Sequence, residues 1–323
     1  MPLNEIYYTK KIKKCREPDY LAIIKSHRRS RICGPITVRC AYAGVGIIKT
    51  GGAATIINFS SDARYLAFNS ITGYYAASFG NTNYAIFTGM QQYPTSSIKY
   101  SYPGNFLGYT GTLNQSRYTW AGTSTNETGY GFGGYYWDGS NDYYRATIEK
   151  YSYASETYTL SVFTLSTTRH YHATLGSPTV GYVSGGFNSG FKIRSTEKFT
   201  YATESRTFGG SLSTSRSAFA GCSNSTVGFY AGGLDISDSG LSSVEKYTFS
   251  SDTVTSGGNL SYSGYRNAAC GNEELALFSY GATTGYSMYV RYSDNTKISA
   301  SAILGFSSDF ASGTSNKHGG LVF

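Results

Sequence analysis

The sequence predicts an all-β chain, built as a ring of repeated four-stranded units. Three observations carry that expectation: a strand-forming composition, a period near 48 residues, and glycine pairs that recur where strands turn back. Of 323 residues 16% are aromatic, with 32 Tyr and 18 Phe, and only 14% are charged. Branched and aromatic side chains fit a half-buried pleated surface, so this content favours strands over a helical bundle. The same ring surface excludes an acidic or Pro-rich disordered tail protein, because such chains have too little apolar surface to fold around.

The repeat sets the architecture. Leu113-Asn-Gln-Ser-Arg117, Gly133-Gly134 and Ile148-Glu149-Lys150-Tyr151 form one copy. Leu165-Ser-Thr-Thr-Arg169, Gly185-Gly186 and Thr196-Glu197-Lys198-Phe199 form the next. Leu212-Ser-Thr-Ser-Arg216, Gly232-Gly233 and Val244-Glu245-Lys246-Tyr247 form the third. Degenerate copies flank them: Phe59-Ser-Ser-Asp-Ala-Arg64 with Ile98-Lys99-Tyr100, and Leu260 to Arg266 with Val290-Arg291-Tyr292. Unit starts at 59, 113, 165, 212, 260 and 304 lie 54, 52, 47, 48 and 44 residues apart. Within a unit, strands are expected around Arg169–Leu175, over Thr179–Ser184 and Glu197–Tyr201, and before Gly209-Gly210. Four strands at this period are the spacing of a propeller blade, and the glycine pairs admit a sharp turn with positive φ.

The last unit, 304–323, stops half-built at Gly319-Gly320-Leu321-Val322-Phe323. Residues 38–52 have the length and Gly-Gly ending of Val244–Gly258, so they are expected to complete it. Strands from both termini would then close the ring and remove an exposed sheet edge. Residues 36–323 number 288, which at 48 per unit gives six four-stranded antiparallel blades. The expected organisation is a basic N-terminal arm over 1–35 and a six-bladed β-propeller over 36–323.

The arm carries the charge. Residues 1–40 hold ten basic and three acidic side chains, +7 of the net +8. Lys13, Lys14, Arg16, Arg28, Arg29 and Arg31 are its candidate partner-docking residues, with Tyr20-Leu21-Ala22-Ile23-Ile24 as an apolar segment to bury in a partner. The nearly neutral body adds no basic face, which argues against nucleic acid. No apolar run reaches the ~18 residues of a membrane span, and no secretory signal is visible at the start. Five Cys at irregular spacing do not form a disulfide framework. Cys15, His27, Cys33 and Cys40 match no common zinc spacing, while oxidation between two of these Cys, or with another subunit, stays open.

The recurring charges read as structure. Arg117, Arg169 and Arg216, with Glu149, Glu197 and Glu245, are expected to form a bond repeated in each blade, since a partly buried charge needs a partner. Tyr151, Phe199 and Tyr247 are expected to wedge between blades, and Cys222 and Cys270 to be small buried residues. His170 and His172 alternate by two and would share one face of a strand, where the plainer reading is blade filling rather than metal binding. No nucleophile elbow, phosphate loop or paired-Cys site is present, so no enzyme and no cofactor are expected.

The order Arg, aromatic strand, Gly-Gly, Glu-x-Tyr or Glu-x-Phe, and leucine before the next Arg resembles the Kelch repeat. The likeness is clearest over 113–259, extends over 59–303, and lacks the late tryptophan, because Trp120 and Trp137 lie elsewhere. The resemblance implies a propeller of six or seven blades acting as a binding platform. Some Kelch-like propellers are copper oxidases, but their Tyr, Cys and His set cannot be assembled here.

Two loops remain as binding candidates. Tyr135, Tyr136, Trp137, Asp138 and Asp142 set rings beside carboxylates, which suits sugars: rings stack on apolar sugar faces and carboxylates accept hydroxyl protons. The Asp235 and Asp238 loop weakly resembles a calcium loop. Both are also rich in turn formers. Many Ser, Thr, Gly, Tyr and Asn with few charges is common in virion appendages, and similar Kelch-like propellers occur among predicted phage tail proteins. The functional expectation is a non-enzymatic virion component (tail, fibre, baseplate or capsid decoration). It would be made in the host cytoplasm, dock to other virion proteins through its arm, and offer a face for a protein or host surface glycan. The alternatives are a free lectin or adhesin, an intracellular interaction scaffold, and a metal-dependent propeller enzyme.

Overall fold

The computed structural model describes residues 45–49, 54–59, 63–68, 74–102, 106–279, 286–300 and 312–315. These residues form strands and turns, and no helix among them is long and apolar enough to cross a membrane. The chain opens with β1 (Val45–Lys49), β2 (Ala54–Asn58) and β3 (Ala63–Phe68). Blade I follows as β4 (Ala77–Gly80), β5 (Tyr84–Met90), β6 (Tyr93–Ser101) and β7 (Phe106–Thr112). In blade II, β8 (Ala121–Ser124) and β9 (Thr128–Phe132) are separated by a hairpin, β10 (Tyr135–Trp137) and β11 (Asp142–Tyr144), from β12 (Thr147–Ser152) and β13 (Thr157–Thr164). Blade III repeats this with β14 (Ala173–Gly176), β15 (Val180–Ser184), a shorter hairpin β16 (Phe187–Asn188) and β17 (Phe191–Lys192), then β18 (Thr196–Thr200) and β19 (Ser205–Gly209). Blade IV is β20 (Ala220–Ser223), β21 (Val227–Ala231), β22 (Ser243–Thr248) and β23 (Thr253–Asn259). Blade V is β24 (Ala268–Gly271), β25 (Leu275–Ser279), β26 (Ser287–Arg291) and β27 (Lys297–Ala300), and β28 (Ser312–Ser315) comes last.

Each blade is a four-stranded antiparallel sheet, and the inner strands β4, β8, β14, β20 and β24 line one axial channel. The protein is an all-β propeller. Of the six expected blades, five are built in this continuous way. The remaining four-stranded sheet has the order β28-β1-β2-β3, with β28 against β24 on one side and β4 on the other. Its N-terminal share is three strands within 45–68, not the expected 38–52, and the expected start near 304 lies outside the described residues.

The start expected at 59 is corrected, because blade I begins at β4 while Arg64 lies in β3. The reason is visible in the residues: Phe59-Ser-Ser-Asp62 matches Phe249-Ser-Ser-Asp252, a turn between the third and fourth strands, rather than a unit start. Blade V also shifts. Arg291 pairs with Leu275 as Thr248 pairs with Val227, so Met288, not Val290 or Arg291, takes the place of Glu245. Gly264 takes the place of Arg216, its carbonyl accepting from Gly233 as the Arg216 carbonyl accepts from Gly186.

The core lies between blades rather than within one sheet. Tyr151 packs on Phe79 of blade I, Phe199 on Phe132 of blade II, and Tyr247 on Tyr182 of blade III. All three rings are buried, as their recurrence predicts. Ile57 and Phe59 join Leu277 and Tyr289 of blade V, while Ile56 packs beside Phe87 and Tyr100 of blade I. Lysines cross the same seams: Lys99 to Glu156, Lys150 to Glu204 (2.5 Å) and Lys198 to Asp252 (2.6 Å).

The recurring arginines pin each blade to the linker that enters it. Arg216 donates to the carbonyls of Gly232 (3.1 Å) and Ser243 (3.3 Å), to Ser243 Oγ (2.9 Å) and to Glu245 (2.5 Å). Glu245 also accepts from the Ser213 amide (2.7 Å). Arg117–Glu149 and Arg169–Glu197 repeat the arrangement. Burial lowers the Arg117 pKa to about 10, with Glu149 opposing the shift. Blade V has Gly264 and Met288 in these two slots, so the pair is lost together; a lone buried charge would be costly.

A second regularity has a period of two blades. Ser124 Oγ accepts from the Gly80 amide (3.2 Å) and donates to its carbonyl, clasping blade II to blade I. Ser223 clasps Gly176 in the same way (3.0 and 2.7 Å), joining blades III and IV. Phe79 covers Gly122 and Gly129, and Leu175 covers Gly221 and Gly228, so closely that a Cβ at any of the four would overlap a neighbour.

Candidate functional site

The loops between second and third strands, and the linkers between blades, share one end of the propeller. At its centre, Tyr75, Thr119, Tyr171, Ala218 and Arg266 hold equivalent positions, all with positive φ. Each hands its carbonyl to the next: Thr119 donates to Tyr75 (2.9 Å), Tyr171 to Thr119 (2.8 Å), Ala218 to Tyr171 (2.8 Å) and Arg266 to Ala218 (2.6 Å). This arc of backbone frames the channel mouth, where the side chains surround a cavity of about 70 Å³.

Aromatic rings surround the mouth. Tyr75 lies 5.9 Å from Tyr118 and 6.1 Å from Tyr171, and Tyr118 meets Tyr135 edge-on at 5.3 Å. The blade II hairpin is fixed to the linker by reciprocal bonds between Tyr118 and Tyr135 (2.7 and 2.9 Å). Its register sets Tyr135 opposite Tyr144, Tyr136 opposite Tyr143, and Trp137 opposite Asp142. Tyr136 stacks on Tyr143 at 6.0 Å, and Trp137 stands 54% exposed. Phe191 and Ile236, each 76% exposed, project from the corresponding loops of blades III and IV. On blade V, Tyr262 and Tyr286 stack at 4.4 Å.

The carboxylates of the expected sugar loop are used within the loop itself. Asp138 accepts from the Ser140 and Asn141 amides (both 2.8 Å) and from Tyr143 Oη (2.9 Å). The Asn141 and Ser140 amides, with Tyr143, lower its pKa to about 2. Asp142 accepts from Tyr135 (2.5 Å), whose pKa rises through burial and that bond. The structure thus brings Tyr135, Tyr136, Trp137, Asp138 and Asp142 together, with the rings as the free chemistry and the carboxylates as their braces.

The Asp235 and Asp238 loop, which resembles a calcium loop in sequence, is closed from within. Asp235 Oδ1 caps the Ser237 and Ser239 amides (2.8 and 2.9 Å), and the Lys192 ammonium bridges the Asp235 carbonyl (2.5 Å) to the Asp238 carboxylate. A lysine therefore supplies the positive charge between Asp235 and Asp238. His170 and His172 do not share a strand face, because Tyr171 between them has φ 54°. His170 is set among Tyr135, Tyr144, Tyr171 and Phe187, and burial lowers its pKa to about 4. His172 is buried beside Gly133 and Gly186, its pKa pushed well below 6.5 by burial and by Arg169. Cys222 and Cys270 are buried thiols outside any disulfide; burial raises Cys222 to about 12. Lys13, Lys14, Arg16, Arg28, Arg29 and Arg31, with Cys15, His27, Cys33 and Cys40, lie outside the described residues.

Arg266 is the residue whose place the sequence reading missed. Aligned with Arg117, it reads as a blade pin; the structure moves it two positions on, to the channel mouth, and gives the pin slot to Gly264. The spacing held the signal, since Leu260 to Arg266 is six residues and Leu212 to Arg216 is four.

Fold and face together define a β-propeller with an aromatic loop-bearing end. No protein-family model matches the chain, and no curated protein matches it in sequence.

Proposed function

We propose that the protein is a non-enzymatic structural or adhesion component of a virion, its propeller disc serving as a binding platform for a protein or glycan. The observation that carries the reading is the ring of aromatic side chains on one end, with Trp137, Phe191 and Ile236 exposed on separate loops. Exposed rings clustered on rigid loops are characteristic of recognition surfaces. The recurring Arg and Glu residues are absorbed in structural pairs, which leaves the rings as the prominent chemistry of this end. The virion placement rests on the Ser-, Thr-, Gly- and Tyr-rich composition and on the basic segment that precedes the disc, suited to docking on other virion proteins. The Arg, Gly-Gly and Glu-x-aromatic repeat supports a Kelch-like lineage for the blades.

The same reading includes a sixth blade made from β28, β1, β2 and β3. The two-blade regularity supports it. Along the inner strands the fourth residue runs Gly80, Ser124, Gly176, Ser223, Gly271 and Ser315, and β28 repeats the Gly-Thr-Ser of β8. An alternating pattern closes on itself only with an even number of blades, and the contacts of β28 with β24 and β4 support this reading.

Mass spectrometry of particles purified by density gradient, before and after a high-salt wash, tests the proposal. Salt-resistant recovery in fixed proportion to a capsid or tail protein is expected. Recovery only as free protein would overturn the virion placement and favour a lectin or scaffold.

A further inference from the structure

We propose that the rim of blades I to III is an interface between two copies of this chain, joined as a two-fold symmetric dimer. The inference is independent of the reading of the aromatic end, because it concerns the outer strands. Three equivalent positions carry it. Tyr109 stands opposite Ile98, Leu160 opposite Glu149 and Phe208 opposite Glu197, the same slot of β7, β13 and β19. In blades IV and V that slot holds Ser256 and Ser299. Tyr109 is 84% and Phe208 64% exposed, so little of either ring serves the packing of its own blade.

The middle strand pushes out more apolar surface. β13 lies between β7 and β19. Ser161, Val162 and Phe163 all stand opposite Ile148, a bulge that leaves Val162 85% exposed with Phe163 beside it. Phe106 adds a fourth exposed ring on the β7 flank. At 150–250 Å² per ring, the open fractions of Phe106, Tyr109, Phe163 and Phe208 come to on the order of 500 Å². With Leu160 and Val162 the rim nears the ~800 Å² per partner of a standard interface, more than a monomer usually leaves open.

Charge and backbone select the occupant. β7 and β13 hold no charged residue, and Arg206 of β19 is paired with Glu197 (3.1 Å). The carboxylates of the adjoining seams, Glu156 and Glu204, are taken by Lys99 and Lys150. A basic segment such as residues 1–40, at +7, therefore meets no counter-charge here. The β13 edge is also closed to an added strand at its bulge. The Phe163 amide donates to Ser161 Oγ (3.2 Å), and Glu204 accepts from Ser161 Oγ (2.7 Å) and from the Val162 backbone. Bulges blunt a sheet edge in this way. What the rim offers is apolar side chains on a neutral surface. Such a patch is complementary to itself, as a two-fold contact demands, because each side chain meets the same set across the axis without like-charge repulsion.

Sedimentation velocity of the full chain over ~1–100 μM tests the proposal, and a reversible monomer–dimer equilibrium in that range is expected. Val162→Lys should raise the dissociation constant by ~100-fold or more, because the two-fold places the charge in the contact twice and each copy is worth about tenfold. Phe208→Ser, which copies the residue of blade IV, should weaken the dimer by ~10-fold. Ser256→Lys puts the same charge in the equivalent slot of blade IV and should leave the dimer unchanged. All three positions are exposed, so the circular dichroism of each variant should match wild type. A monomer across the whole range, or a dimer that Val162→Lys and Phe208→Ser loosen no more than Ser256→Lys does, would overturn the inference. A chain that dimerises only after deletion of residues 1–30 would overturn it too, marking that segment as the cover of the rim.

Discussion

Arg216→Met removes a guanidinium that serves two carbonyls, one hydroxyl and one carboxylate, all inside the blade IV seam. Glu245, 3% exposed, would keep only the Ser213 amide as a partner. Stranding a buried charge in this way costs about 3–5 kcal/mol. At roughly 2–4 °C per kcal/mol for a large domain, the melting temperature should fall by roughly 6–20 °C. The double variant Arg216→Met with Glu245→Met should recover most of that loss, because blade V already runs on Gly264 and Met288 in the same slots. Urea titration followed by near-ultraviolet circular dichroism measures both against wild type. A single variant within about 1 kcal/mol of wild type, or a double variant as unstable as the sum of the two singles, would refute the claim that the pair is kept or lost as a unit.

His170 carries a pH prediction. Its folded pKa is lowered to about 4 by burial, so the unfolded chain binds the proton more readily. The neutral ring's contribution is therefore complete above pH ~6.5 and drains away as pH falls toward 4, by on the order of 3 kcal/mol. His170→Phe should flatten that part of the stability curve, and an unchanged slope would contradict the assignment. Gly228→Ala places a Cβ 2.3 Å from Leu175 Cδ1 and should destabilise by about 1–3 kcal/mol; adding Leu175→Ala should relieve the overlap but leave its own cavity. Equal effects of Gly228→Ala in the presence and absence of Leu175 would argue against the two-blade packing. Deleting residues 1–30 should leave a soluble disc, whereas deleting 1–68 removes β1, β2 and β3 and should cause misfolding or aggregation. Comparable solubility and melting of the two truncations would dismiss the closing role of the N-terminal strands.

Much of the architecture was legible in residue types that recur. Leu, Arg, Gly-Gly and Glu-Lys-aromatic fix blades II to IV because each slot imposes its own physics: a buried pin, a left-handed turn, an interblade ring. Blades I and V were harder to register, because they lack the pin and their turns reuse Ser, Asp and Tyr. Phe59-Ser-Ser-Asp62 therefore resembles a unit start although its like in blade IV is a turn. Arg266 shows the opposite failure, a residue of the expected type displaced by two positions into another role. The sugar loop was legible as a group of residues but not as a division of labour. That Asp138 and Asp142 brace the hairpin while the rings face outward depends on bonds that composition does not reveal. The alternation of Gly and Ser along inner strands was present in the sequence, yet it repeats at twice the obvious period.

The aromatic end is the centre of the functional account, and a glycan array probed with the full chain and with Tyr136→Ala plus Trp137→Ala tests it most directly. Neither substitution touches the interblade core, so the variant should melt as wild type does. The account predicts glycan binding by the wild-type chain and its loss, by ~10-fold or more, in the variant, since a stacked ring contributes on the order of 1 kcal/mol or more. Undiminished binding by the variant would contradict the assignment of the blade II hairpin as the recognition surface.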